Sequence, residues 1–452
     1  MIYKPQSLFV FPHGAVLQNR TSRLLQEHTF MNKTFTYFFA TSLWLAACTN
    51  EQPKESQPDT EPTDTVPASV TLGGYASPES VLILNEGARM LENGSLAYIS
   101  PDGNIQSDIY KSTNGTELGN QAIALDLYGN KLYIICNDYL KPEGVSEGDG
   151  LLIIANAETL QKEKAYQREE MVFARPEGCK QENEYLEMES SLSNIIVLDE
   201  KNIFIADAQA VYRFDSTTGK LALIEGSYAF GNQGVTIESI ISPSGMTAIN
   251  GCIYAGAGGF WSETMLVEFV KGSDKVNRTL KLGKGNLISG LCKLNDSTLV
   301  AGTYARESKS SYLYYIDIKG WAVKDEKRIN ETISPDVFTA TSSGIFAYNG
   351  DIYFPQDDAS LARISSKTGR TEEVLNVRND AANANGFDCM TVDATKGWLY
   401  ISTHMQNSES IIPESNLLIY DLNEETPRLL KDFSNLTRYA AGIYPTNRFS
   451  AN

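Results

Sequence analysis

Histidine is almost missing from this 452-residue chain: there are three, and His13 and His28 both precede Cys48, which leaves His404 alone in everything after it. A metal centre built from several imidazoles is therefore excluded, and any mechanism that needs a histidine has one residue to use. Basic side chains are scarce too. Lysine and arginine total 38 against 56 acids, a formal charge of −18, and because four bases and one acid lie before Cys48 the remainder is more acidic still. Such a surface repels phosphate backbones and anionic headgroups, which argues against nucleic-acid binding and against a polybasic membrane contact. The cysteines follow no regular metal or disulfide spacing. Cys136, Cys252, Cys292 and Cys389 fall in apolar runs, such as LYIICN and GCIYAG, where a small buried hydrophobe is the commoner role. Only Cys179, in a polar stretch, reads as a candidate reactive thiol. There is no nucleophile motif, no phosphate-cradling glycine loop before a helix and no paired metal-binding histidines, and no cofactor is expected. The acids at Asp357, Asp358, Glu147 and Asp149 lack calcium-loop spacing and read as solvated.

What is present begins with an export signal. Residues 31–48, MNKTFTYFFATSLWLAAC, run from Met31 and Lys33 through an apolar stretch to Leu45-Ala46-Ala47-Cys48, the pattern of a bacterial lipoprotein signal with its lipobox. The apolar run is too short to span a bilayer, which needs about 20 residues. Residues 31–47 are thus expected to be removed and Cys48 to carry the lipid. Residues 1–30 read as an extension from a misassigned start and are set outside the fold. Residues 48–77 are rich in Pro, Glu, Gln, Ser, Asp and Thr, a composition that cannot offset the entropy of ordering and predicts an extended tether.

From about residue 78 the chain alternates short runs of Ile, Leu, Val, Tyr and Phe with Gly, Asn, Asp and Ser every 6 to 12 residues, and long helical stripes are almost missing. With 42% hydrophobic and 21% charged residues overall, this part has the composition of a folded body. Aligning the runs on a turn followed by an apolar pair reveals a repeat: YGNKLYIICN, DEKNIFIAD, INGCIYAG, NDSTLVAG, NGDIYFP and TKGWLYIST, with SVLILNEG as a divergent first copy. Anchors at Leu84, Tyr133, Phe204, Tyr254, Leu299, Tyr353 and Tyr400 are 49, 71, 50, 45, 54 and 47 residues apart. Each unit resolves into four strands; NIIVLD, IFIAD, AVYRFD and KLALIE form one set. The prediction is an all-β, seven-bladed propeller over residues 78–452, with a sandwich or two separate β domains as the competing architectures. The first unit lacks an innermost strand, and the segment from Arg438 to Tyr444 is expected to close the ring by supplying it.

The segments LILNEG, NGSLAYISPDG, ELGN and YGNKLYIICN resemble the start of the YVTN-type, or surface-layer, propeller lipoproteins of gut Bacteroidetes, the group labelled DUF5074. Asn85-Glu86-Gly87 and Glu117-Leu118-Gly119 carry the likeness most specifically. That group is similar to surface propellers that capture cobalamin and pass it to a TonB-dependent transporter, so the resemblance implies, at most, a related role. Its motif residues read as structural and do not carry a ligand across.

The site must therefore come from loops. In a propeller, the connections from second to third strand and from outer strand to the next blade meet on one face. Here these include 137–150, 256–263, 302–311 and 402–415, and the 71-residue unit adds 169–191. Phe260 and Trp261, set among glycines, form either a stacking platform for a flat or sugar-like ligand or a pair packed under a neighbouring loop. Further candidate ligand contacts are Tyr304 with Arg306, Phe173 with Arg175, Tyr139, and Arg438 with Tyr439. His404, at a strand end, is a candidate base, metal ligand or ligand contact, or a satisfied loop residue. The leading expectation is a lipid-anchored protein of the outer membrane, facing the cell surface, that binds a nutrient such as a corrinoid for a TonB-dependent transporter. The alternatives are a propeller hydrolase or lyase acting on a glycan, and an adhesive, protein-binding propeller.

Overall fold

Two-residue turns set the local geometry. Asn250-Gly251 and Asn349-Gly350 join adjacent strands directly, with Ile249 paired to Cys252 and Tyr348 to Asp351. All four turn residues have φ between 50° and 84°, the type I′ conformation whose twist matches that of the flanking strands and which Asn and Gly tolerate best. The apolar pair after each such turn then falls on a second strand with its register fixed.

The computed structural model describes residues 72–451 apart from 89–90, 138–144, 189–190, 208–209, 231–236, 240, 260–261, 306, 331, 334–343, 357–358, 385 and 405–413. The chain divides into two units, Met1–Thr65 and Val66–Asn452. The first, with the signal segment and Cys48, lies outside the described residues, as does the tether up to residue 71.

Seven four-stranded antiparallel sheets follow one another along the second unit. Blade two comprises Ala122–Tyr128, Lys131–Cys136, Leu152–Asn156 and Lys162–Tyr166; blade three, Asn194–Asp199, Asn202–Ala206, Val211–Asp215 and Lys220–Leu223. Blade four runs from Ile241–Ile249 to Arg278–Lys281, blade five from Leu287–Asn295 to Ala322–Ile329, blade six from Phe346–Tyr348 to Thr371–Asn376, and blade seven from Cys389–Asp393 to Arg428–Ser434. Blade one alone is composite. Its Val81–Asn85, Ser95–Ile99 and Ile105–Gln106 are completed by Ala440–Pro445, which pairs antiparallel with Val81–Asn85 as the innermost strand. The expected closure is thus present, extended by Thr446 N–H to Ser80 carbonyl at 2.9 Å and Glu79 N–H to Asn447 Oδ1 at 3.0 Å.

All seven anchors sit on second strands and are buried. Side chains alternate across each strand, so one strand serves two interfaces. Leu132, Ile134 and Cys136 pack towards blade one, whereas Tyr133 and Ile135 pack towards blade three. Seven apolar clusters result, one at each junction around the ring, including Ile83 and Ile443 of blade one with Tyr400 and Leu417 of blade seven. Burial of the apolar anchors Leu84, Phe204 and Leu299 stabilises by about 1.5–3 kcal/mol each. The outer strand Ala322–Ile329 is largely polar and exposed.

Three departures from the simple repeat matter. Residues 72–77, expected within the tether, pack on the body: Tyr75 N–H donates to Glu158 carbonyl at 2.9 Å, and its ring meets Tyr98 edge-on at 5.0 Å. The long third unit carries a hairpin, Val172–Ala174 with Tyr185–Glu187, and a second hairpin, Tyr228–Phe230 with Ile237–Ser239, precedes blade four. A six-residue helix, Ile109–Asn114, connects blades one and two.

Candidate ligand site on the loop face

On one face, the described parts of four connections converge where blades one and two meet: 86–88 with 91–94, 107–121, 145–150 and the loop 435–439 that leads into the closing strand. They enclose a cavity of about 550 Å³ whose lining includes Glu92, Asn93, Lys111, Glu117, Ser146 and Arg438. Glu117 ties three walls together. Its carboxylate accepts from Lys111 Nζ at 2.6 Å, Ser146 Oγ at 2.6 Å and Asn93 Nδ2 at 3.0 Å, and Asn93 Nδ2 also donates to the Ser146 carbonyl at 2.9 Å. The bonds from Lys111 and then Ser146 hold the Glu117 carboxyl below its ordinary range, against a partial burial that would raise it.

The floor is fixed from beneath. Asp149 is buried and accepts from Tyr110 OH at 2.6 Å, Thr116 Oγ1 at 2.8 Å and Lys162 Nζ at 2.6 Å. Burial pushes its carboxyl up, but these three donors outweigh that and hold it below the usual value. Close backbone packing makes the junction possible. A β-carbon on Gly119 would lie 2.3 Å from the Gly150 carbonyl oxygen, and one on Gly148 would lie 2.2 Å from that of Leu118.

Next to the cavity, at the end of the ring's inner strands, Asp388 and His404 form a second feature. His404 Nδ1 hydrogen-bonds Asp388 Oδ1, and Ser402 Oγ donates to the other carboxylate oxygen at 3.3 Å. The bond to Asp388 raises the His404 pKa, outweighing the burial that lowers it. Nε2 is thereby turned away from Asp388, and the Tyr439 ring centroid lies 5.6 Å from the imidazole. Burial, then the nearby Asp388, Glu86 and Glu92 carboxylates, raise the Tyr439 hydroxyl pKa. Tyr439 has φ of 51°. The loop is pinned around it: Arg438 N–H donates to Asn85 Oδ1 at 2.9 Å, Gly87 N–H to the Arg438 carbonyl at 3.1 Å, and Glu86 N–H to the Tyr439 carbonyl at 2.9 Å.

Of the residues singled out in the sequence, His404, Arg438 and Tyr439 are thus brought together. Tyr304 is half-buried at the top of a second strand in blade five, paired with Leu287. Arg175 is exposed and donates to the Gln181 carbonyl within its own hairpin. Phe173 is not presented on the face: it is fully buried, with its ring 5.0 Å from Tyr212, because the hairpin needs an apolar root in the core. Tyr139, Phe260, Trp261 and Arg306 lie outside the described residues, as do Asp357 and Asp358. Asp149 is buried and hydrogen-bonded rather than solvated. Cys179 is half-buried against the blade two and three core, and Cys252 is half-buried rather than buried. Among the described residues no three His, Cys, Asp or Glu side chains group to hold a metal ion. Glu92, Asn93, Lys111 and Ser146 escaped sequence reasoning; the one available signal was Glu117-Leu118-Gly119, whose glutamate lines the cavity and whose glycine permits it.

The family model described as Domain of unknown function (DUF5074) matches residues 79–406. No curated protein matches. Among solved structures, puromycin hydrolase aligns at TM-score 0.47 and 10% identity over 80% of this chain and 53% of its own. Kuenenia stuttgartiensis hydrazine synthase aligns at 0.37 and 13% over 65% and 74%, and the tricorn protease at 0.29 and 12% over 79% and 30%. The chain thus spans less than a third of the tricorn protease. With the family model covering well over half of its length, the chain belongs to the DUF5074 family.

Proposed function

We propose that this protein is a ligand-binding propeller, held at the outer membrane by lipid on Cys48, which captures a nutrient and passes it to a TonB-dependent transporter. The observation that supports capture is the cavity at the junction of blades one and two. Its volume lies within the usual range for small-molecule sites, about 300–1,000 Å³, and its polar walls are held by Glu117, Asn93 and Ser146 through bonds made within the protein. Prearranged walls lower the ordering cost of binding. Tyr304, at the end of a second strand in blade five, and Phe260, Trp261 and Arg306, which lie outside the described residues, are kept as candidate contacts for any part of a larger ligand, such as a corrinoid, that extends beyond the cavity. Tyr139, in the loop that carries Ser146, remains a candidate contact.

A second reading is favoured by one feature. The Asp388–His404 pair orients an imidazole as a general base is oriented, which would suit a hydrolase or lyase acting on a glycan. Calorimetry on the full-length chain, titrated with cobalamin, siderophores and a glycan panel, separates the two. Capture predicts stoichiometric binding of one panel member, weakened at least about tenfold in Glu117→Ala, with no turnover. Undiminished affinity in Glu117→Ala would move the site elsewhere on the face, and turnover lost in His404→Ala would establish the enzyme.

A further inference from the structure

The charges around the cavity are unequally engaged. Glu117 is used within the protein by Lys111, Ser146 and Asn93, and Lys111 is paired to it at 2.6 Å. Arg438 is different. It lines the same cavity and is exposed, and among the described residues its guanidinium makes no ion pair or hydrogen bond. In a chain with 56 acids and 38 bases, and in a cavity that Glu92 and Asp108 also line, an arginine standing clear of those carboxylates needs a reason.

The backbone supplies one. Arg438 is held on both sides, by Asn85 Oδ1 on its N–H and Gly87 N–H on its carbonyl. The next residue, Tyr439, is kept in the left-handed region at φ 51°, a conformation that is strained for a bulky side chain and persists only where its surroundings over-determine it. The loop thus fixes where Arg438 enters the cavity wall.

A guanidinium without a protein partner in a preformed cavity calls for an anion, and its fork geometry suits a carboxylate. The Glu92 and Asp108 carboxylates are hydrogen-bond acceptors, which suit a hydroxyl-bearing body, and the exposed Leu91 side chain offers an apolar patch beside them. The same acids would repel a multiply charged phosphate more strongly than a single carboxylate. We propose that this cavity binds a small carboxylated polyol of the acidic-sugar class, with Arg438 pairing its carboxylate. The proposal rests on the capture reading above and deepens it.

The test is calorimetry on the full-length chain with glucuronate, glucose and inorganic phosphate, for the wild type, Arg438→Gln and Arg438→Lys. Because Arg438 is exposed, unchanged melting temperatures are expected and would verify that each variant is folded. Glucuronate should bind the wild type, glucose and phosphate at least about tenfold more weakly. Arg438→Gln should lose at least about tenfold in glucuronate affinity, and Arg438→Lys should retain an intermediate share. Glucuronate affinity unchanged in Arg438→Gln, or glucose bound as well as glucuronate, overturns the assignment. If glucuronate fails while cobalamin, a siderophore or a neutral glycan binds, the anion class is wrong and capture stands; if none of them binds, both fall.

Discussion

Gly119 has no space for a β-carbon, since one would press on the Gly150 carbonyl oxygen at 2.3 Å and the Cys136 side chain at 2.8 Å. Both neighbours belong to packed backbone or core, so neither can yield cheaply, and overpacking of this kind costs about 1–3 kcal/mol. Gly119→Ala should lower the urea midpoint accordingly and also weaken ligand binding, because Glu117 hangs on the same segment. A midpoint within error of the wild type would contradict the close approach described here. His404 makes a prediction of the opposite kind, in pH. Its folded-state pKa lies above the unfolded value of about 6.5. The stabilisation from its bond to Asp388 is therefore complete below that value and is lost as pH rises through the raised one. The stability difference between wild type and His404→Gln should be largest below about pH 6.5 and shrink progressively as the pH rises above that value. A difference independent of pH would mean that the imidazole carries no charge-linked contact.

At the scale of elements, the second strands were readable because each follows a turn such as Asn250-Gly251 and carries an apolar pair that a ring of blades must bury. Outer strands were harder to delimit: Ala322–Ile329 reads AVKDEKRI, whose mostly charged side chains face solvent and leave no hydrophobic period. The helix Ile109–Asn114 is too short for a periodic signal, and the hairpin rooted by Phe173 showed only as excess length. The cavity was least legible. Its members come from four loops, and Arg438 reaches Asn85 across 353 residues of sequence, a proximity that exists only once the ring has closed. Local patterning cannot carry that information, although the glutamate and glycine of Glu117-Leu118-Gly119 pointed to the place. Closure itself has a clear test. Removing residues 436–452 deletes the strand Ala440–Pro445, exposes the edge of Val81–Asn85 and opens the clusters that Ile443 and Tyr444 share with blades seven and two. The loss should be global, seen as a large fall in melting temperature in both near- and far-ultraviolet circular dichroism. An unchanged melt would make the segment an appendage.

At the scale of the molecule, the proposed lipid anchor is tested by Cys48→Ala, which should move the protein from the membrane fraction to the soluble one. Retention after a carbonate wash would refute the lipid assignment. The ligand is proposed to bind the loop face where blades one and two meet, beside the loop 435–439. Amide hydrogen exchange with and without whichever titrated compound binds reads that claim directly, because the junction is laced by assignable backbone bonds: Glu86 and Gly87 to the 438–439 carbonyls, Gly94 to Gly119 and Asp149 to Glu117. Ligand should slow exchange at those amides and leave the opposite face, around Gly129, Gly251 and Gly350, unchanged. Protection confined to 256–263 and 302–311, or to the opposite face, with the junction amides unaffected, would contradict the account.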